Sequence, residues 1–251
     1  MYDYGNSEDG TFYYVMEYLP GMNLDEIVKG NHPLPAQRVI HLLTQVCDAL
    51  AEAHCQGFIH RDLKPANIFA ARRGGMHDVA KLLDFGLVRQ TAPASGTSQP
   101  DSDSADDGLT RDGSITGSPL YLSPEQAMGE PPDRRSDIYS LGAVAYYLTT
   151  GQPPFVDSNA MRVIMSHARD IPTNPMVLTP DLSPQLAQVI MTCLEKKPEN
   201  RFDNVHLLKH ALQDCVIDRH WTNDDSAAWW KDHGCPHKKK LDAEILQLAA
   251  V

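Results

Sequence analysis

The chain opens on a short β-type pattern and then turns helical. Thr11 to Met16 (Thr-Phe-Tyr-Tyr-Val-Met) is β-branched and aromatic, and the turn-like run Gly5-Asn6-Ser7-Glu8-Asp9-Gly10 precedes it. This predicts the second strand of a hairpin, with Met1 to Tyr4 as the first, and Pro20-Gly21 ends the segment. From Pro35 to His54 the apolar residues Val39, Leu43, Val46, Leu50 and Ala53 recur at steps of three and four, the spacing of a long amphipathic helix. Short strands follow near Asn67–Ala70 and Val79–Leu83, joined by the turn Arg72-Arg73-Gly74-Gly75. After Tyr121 helical spacing dominates, over Arg135–Thr150, Asn159–His167, Ser183–Glu195 and Asn204–Gln213. Ser183-Pro184 reads as a cap followed by proline at the first helical position. Between the two halves, Thr91 to Gly113 is rich in Ser, Asp, Thr, Gly and Pro, which predicts a disordered surface loop in the resting protein.

Composition narrows the function classes. With 251 residues, 42% of them hydrophobic, the chain has ample material for a core. Its 22 basic and 33 acidic residues give a net charge of −11, the wrong sign for tracking nucleic-acid phosphates or anionic lipid. Nucleic acid is therefore not expected as a partner. The cysteines Cys47, Cys55, Cys193, Cys215 and Cys235 are scattered with no C-x-x-C pair, which predicts reduced thiols rather than a disulfide framework or zinc knuckle. The first residues lack the basic and apolar regions of a signal peptide, and the apolar stretch around Leu141 to Leu148 is too short to span a bilayer. These features predict a cytoplasmic chain with no membrane segment.

Chemistry concentrates in His60-Arg61-Asp62-Leu63-Lys64-Pro65-Ala66-Asn67, followed downstream by Asp84-Phe85-Gly86. A carboxylate, a lysine and an amide within six positions, then a second carboxylate before a glycine, suit phosphoryl transfer. That reaction needs an aligned hydroxyl, metal ions across the phosphates and cations against the developing charge. The sequence resembles the eukaryotic-like protein kinases over about residues 1 to 213. His60–Asn67 matches their catalytic loop and Asp84-Phe85-Gly86 their magnesium-binding motif. Ser123-Pro124-Glu125 resembles the close of the activation segment, and Asp137-Ile138-Tyr139-Ser140-Leu141-Gly142 the start of the central buried helix. Arg201 stands where the family pairs an arginine with the glutamate, here Glu125. Met-Glu-Tyr-Leu-Pro-Gly and Tyr-Leu-Ser-Pro-Glu-Gln look most like the bacterial serine/threonine kinases.

The resemblance implies an α+β, protein-kinase-like fold: a mainly helical large lobe with only the last strands of the small lobe. Residues 1–19 would form the small-lobe remnant and hinge, 20–213 the large lobe with its activation segment at 84–125, and 214–251 a helical tail. The implied activity is transfer of the ATP γ-phosphate to Ser or Thr hydroxyls of proteins, with self-phosphorylation or dimerisation as further partners. Asp62 would accept or orient the hydroxyl proton, and Lys64 would balance charge at the transferred phosphate. Asn67 and Asp84 would hold magnesium, or manganese in its place. Lys64 and Ser118 resemble the serine/threonine rather than the tyrosine branch. Met16 resembles the gatekeeper; adenine would bond to the backbone of Glu17 and Leu19, with Asn23 near the ribose and Phe69 beneath the ring. Arg61 would hold a phosphorylated activation loop, with Thr110 the first choice of site and Ser114 and Thr116 next. His60 reads as a buried packing residue.

One departure from the family pattern is plain. No lysine precedes Met16, and the only glycines there are Gly5 and Gly10, so no G-x-G-x-x-G can be drawn. The first lysine, Lys29, follows the hinge. This predicts a chain that begins inside the small lobe and is impaired by the loss, the alternative being a non-catalytic pseudokinase that serves as a scaffold. In the tail, Thr222 with Asp225 reads as a capping box ahead of Trp229-Trp230, and Leu241, Ile245 and Leu248 form an apolar stripe. These predict small helices packed on the large lobe or on a neighbour. His233, Cys235 and His237 do not have the spacing of a zinc site, and Lys238-Lys239-Lys240 reads as a solvated turn.

Overall fold

A computed structural model describes residues 3–7, 11–15, 17–31, 33–83, 119–216 and 219–234. In chain order the elements are β1 (Asp3–Asn6), β2 (Phe12–Val15), β3 (Gly21–Asn23), α1 (Leu24–Asn31), α2 (Ala36–Cys55), β4 (Ile68–Arg73), β5 (Met76–Leu82), α3 (Pro124–Ala127), α4 (Arg134–Thr150), α5 (Ala160–Arg169), α6 (Pro175–Leu178), α7 (Pro184–Cys193), α8 (Val205–Gln213) and α9 (Asn223–His233). The architecture is α+β: a mainly helical body with small antiparallel sheets.

The expected hairpin forms, shifted along the chain. β1 pairs with β2 from Asp3↔Val15 to Asn6↔Phe12, because the turn closes where the Ser7 N–H donates to the Thr11 carbonyl at 2.9 Å. The second sheet runs β3-β4-β5. β4 and β5 meet at Gly74-Gly75, both with positive φ (+56° and +83°), the left-handed pair that a two-residue hairpin turn requires. Pro20-Gly21 does end one segment, but Gly21 also begins β3, which pairs with Ala71 in β4. A Cβ at Gly21 would lie 2.2 Å from the Ala70 carbonyl oxygen, so only glycine admits this approach.

The core is built around α4, in which every residue from Ser136 to Thr149 is buried. A helix apolar on all faces must be surrounded, and α2, α3, α6 and α7 pack against it. α2 buries Val39, Leu42, Leu43, Val46 and Leu50 against α4, α8 and β5. α4 starts on a capping box in which the Asp133 carboxylate accepts from the Arg135 N–H and the Ser136 hydroxyl from the Asp133 N–H. Pro184 occupies the first turn of α7 as predicted. Ser183 does not cap it, however: its hydroxyl donates to Gln185 Oε1 at 2.9 Å, a nearby acceptor that competes with the helix N–H groups.

The helix predicted from Thr222 and Asp225 is α9, and it packs against β5. Thr222 and Asp225 form the expected capping box. Beneath the helix lies a fully buried pair: Arg38 of α2 donates from Nε and Nη2 to both carboxylate oxygens of Asp78 in β5, each at 2.8 Å. Trp221 and Trp230 add indole N–H bonds to the same carboxylate at 3.0 and 2.8 Å. The Trp229 ring covers the Arg38 guanidinium at 3.8 Å. Burial works against the charge on Asp78, but the Arg38 and indole hydrogen bonds outweigh it and hold its carboxyl below the ordinary range. The stripe Leu241, Ile245 and Leu248, with Cys235, His237 and Lys238 to Lys240, lies outside the described residues.

Candidate active site

The loop between α2 and β4 carries the predicted catalytic residues, and its path is fixed mainly by backbone hydrogen bonds. Asp137, buried near the start of α4, accepts from the His60 N–H and the Arg61 N–H, each at 2.9 Å, and its Oδ2 also meets His54 Nε2 at 2.7 Å. Arg61 takes φ +67°, a left-handed conformation uncommon for a side chain of this size. The Asp62 N–H returns to the His60 carbonyl at 2.9 Å, and Gln126 Nε2 donates to the Arg61 carbonyl at 2.8 Å. His60 is buried, with Nε2 3.0 Å from the Leu83 carbonyl oxygen.

Asp62, Lys64 and Asn67 converge. Lys64 Nζ lies 2.6 Å from Asp62 Oδ2, and Asn67 Nδ2 donates to the Asp62 carbonyl at 2.9 Å and to Oδ2 at 3.3 Å. Lys64 is extended, and Pro65–Asn67 form a single 3-10 turn that carries Asn67 back toward Asp62. Asn67 is buried, whereas the Asp62 and Lys64 side chains keep 21% and 26% exposure, enough to meet a substrate from solvent. The Leu83 N–H donates to the Asn67 carbonyl at 2.8 Å, which ties the end of β5 to the same turn. Asp84 follows Leu83 and lies outside the described residues, as do Met16, Phe85, Gly86, Thr110, Ser114, Thr116 and Ser118, together with the segment Thr91–Gly113.

Of the expected nucleotide residues, Asn23 and Phe69 are paired across β3 and β4, while Glu17 and Leu19 lie in the segment between β2 and β3. Phe69 in β4 stands opposite Asn23 in β3, and it is half-exposed between buried Ile68 and Ala70. Asn23 also caps α1: its Oδ1 accepts from the Glu26 N–H at 2.9 Å while Glu26 Oε2 accepts from the Asn23 N–H at 3.0 Å. Glu17 is exposed and 3.9 Å from Arg73, and Leu19 is half-buried.

The segment around Glu125 is anchored hard. Arg201 donates to Glu125 from Nη1 at 2.9 Å and Nη2 at 2.8 Å, and its remaining bonds go to the carbonyls of Glu195, Lys196 and Arg135. Burial raises the Glu125 pKa, but Arg201 and the Ser136 hydroxyl outweigh it and leave the carboxyl low. Asp137 opens the motif at the start of the central helix and Gln126 closes Tyr-Leu-Ser-Pro-Glu-Gln, but the backbone groups that each one holds have no signal in the sequence. Among the described residues no cluster of three His, Cys, Asp or Glu forms a metal site, and no helix is long and apolar enough to cross a membrane. Cys47, Cys55, Cys193 and Cys215 are free thiols.

Comparison with known proteins agrees with this geometry. The protein kinase domain family matches residues 1–213. The chain is 39% identical over 229 residues to serine/threonine-protein kinase pkn3 of Myxococcus xanthus, covering 90% of this chain and 40% of that protein. It is 38% identical over 205 residues to serine/threonine-protein kinase PknB of Mycolicibacterium smegmatis, covering 80% and 30% respectively. The chain thus spans less than half the length of these relatives. The crystal structure of the PknI kinase domain from Mycobacterium tuberculosis superposes with a TM-score of 0.59 at 25% identity, over 85% of this chain and 68% of that one. With the family matched across most of its length and the catalytic-loop residues converging in space, this chain belongs to the protein kinase domain family, among relatives that are bacterial serine/threonine kinases.

Proposed function

We propose that this chain transfers the γ-phosphate of ATP to Ser and Thr hydroxyls of proteins, with Asp62 as the group that takes the hydroxyl proton. The observation that carries the reading is the asymmetry at Asp62: Lys64 and Asn67 both donate to Oδ2, which leaves Oδ1 for the incoming hydroxyl. In the reaction the substrate oxygen bonds to the γ-phosphorus, the bond to the β–γ bridging oxygen breaks, and ADP departs with that electron pair. The hydroxyl proton passes to Asp62. Lys64, held beside Asp62, places a positive charge at the transferred phosphoryl group. Asn67 fits a hard-cation site, because its Nδ2 is committed to Asp62 and Oδ1 is the atom left for magnesium or manganese; Asp84 would be the second ligand. The bound cation supplies charge neutralisation across the phosphates.

Within this reading Glu17, Leu19, Asn23 and Phe69 hold the nucleotide, and the opposed pair Asn23 and Phe69 supports that assignment. The break between the β1–β2 sheet and the β3–β4–β5 sheet supports a hinge within residues 1–19, ahead of a large lobe at 20–213 and a tail at 214–251. Arg61 is the arginine that meets a phosphate on Thr110, Ser114 or Thr116; its Nε is buried without a partner among the described residues. Ser118 and Lys64 set the preference for serine and threonine. We place the activity in the cytoplasm, where ATP is supplied. Incubation with labelled ATP and a mixed Ser, Thr and Tyr peptide pool tests the reading. Phosphoserine and phosphothreonine that vanish in Asp62→Asn are the expected products, and label independent of Asp62 would instead favour the scaffold role.

A further inference from the structure

We infer that Gln126 is a positioning residue for Asp62, a role that rests on the kinase reading above. The Arg61–Asp62 peptide determines where the Asp62 side chain points, and Arg61 enters it at φ +67°. On the N-terminal side of Arg61, Asp137 holds the two preceding N–H groups. On the C-terminal side the Asp62 N–H makes a short-range bond to the His60 carbonyl, and the Arg61 carbonyl is held by Gln126 Nε2 at 2.8 Å. A planar peptide gripped at both its C=O and its N–H cannot swing, so the carboxylate that follows stays aimed.

The amide orientation of Gln126 is set by its surroundings. Its Oε1 accepts from the Ser123 hydroxyl at 2.9 Å and from the Ser123 N–H at 3.3 Å, which turns Nε2 toward Arg61. Gln126 therefore has two separable jobs. Its oxygen completes the capping box of α3, and its nitrogen reaches across to the catalytic loop. The segment that ends the activation region is thereby fastened to the residue beside the catalytic carboxylate.

Glutamate separates the two jobs. Gln126→Glu keeps an oxygen for the Ser123 cap, since Glu serves as well as Gln at this position, but has no N–H for the Arg61 carbonyl. Gln126→Met loses both. Steady-state peptide phosphorylation is measured for the wild type, Gln126→Glu, Gln126→Met and Asp62→Asn, with thermal melting alongside. The expected result is a fall in kcat of about 10- to 100-fold in both Gln126 variants. KM for ATP stays within about twofold, and the melting temperature drops only in Gln126→Met. A wild-type kcat in Gln126→Glu, with Asp62→Asn inactive, overturns the positioning role and leaves the kinase reading standing. Loss of kcat in Gln126→Met alone, tracking its melting temperature, reduces Gln126 to a helix cap. Equal rates in Asp62→Asn and the wild type overturn both readings.

Discussion

Replacing Arg38 with methionine removes the cation from a site that has no exposure on either side. Methionine fills much of the space, but Asp78 then keeps its carboxylate inside the protein with, among the described residues, the Trp221 and Trp230 indoles as its remaining donors. Breaking a buried pair in this way costs about 3–5 kcal/mol, because the remaining charge is uncompensated. For a domain of this size that lowers the melting temperature by about 6–20 °C. The acid side gives a second reading. The folded Asp78 pKa lies below the unfolded value of 3.8, so the pair stabilises the protein above that pH and the contribution fades as pH falls through the folded pKa. Arg38→Met therefore loses most at neutral pH and converges with the wild type in acid. Urea unfolding at pH 7 and pH 3 measures both effects. The double variant Arg38→Met/Asp78→Asn leaves no buried charge and an acceptor for an indole, so it is less destabilised than Arg38→Met. A cost below about 1 kcal/mol for Arg38→Met, or no recovery in the double variant, refutes the reasoning.

Gly142→Ala would place a methyl carbon 2.4 Å from Cys193 Cβ where α4 and α7 touch, and overpacking of this kind lowers stability by about 1–3 kcal/mol in chemical denaturation. His167 is buried with Nδ1 against the Tyr139 hydroxyl; burial first, and then the Lys196 charge, brings its pKa down to about 4. A depressed folded pKa means the neutral ring's contribution is complete above pH 6.5 and is lost as pH falls toward about 4, by about 3 kcal/mol in all. In His167→Gln the decline in urea midpoint between pH 6.5 and pH 4.5 is correspondingly flatter than in the wild type.

How much of this the sequence disclosed depends on the range of the interaction. The helices α2, α4, α5, α7 and α8 were legible because their apolar spacing and caps are local, and the β4–β5 turn because Gly74-Gly75 states it outright. α1 has a local signature too: Leu24, Ile27 and Val28 follow Asn23, and Asn23 with Glu26 makes a capping box. β3 gives almost no local signal, since three residues after a proline become a strand only by pairing with Ala70 and its neighbours in β4. The convergence of Asp62, Lys64 and Asn67 was anticipated from the motif, as was Glu125 with Arg201 across 76 residues. The roles of Asp137 and Gln126 were not, because each acts on backbone groups 65 or more positions away. The Arg38–Asp78 pair was hidden for the same reason, and Trp229-Trp230 marked only that the tail had something to cover.

The central claim is that Asp62, held by Lys64 and Asn67, takes the proton during phosphoryl transfer. It is tested most directly by single-turnover transfer of labelled γ-phosphate from MgATP to a serine peptide, comparing the wild type with Asp62→Asn at saturating nucleotide. Asparagine preserves the size of the side chain and removes only the base, so the account predicts a rate that falls at least about 100-fold from the wild type to the variant. Equal rates in the two proteins would contradict it.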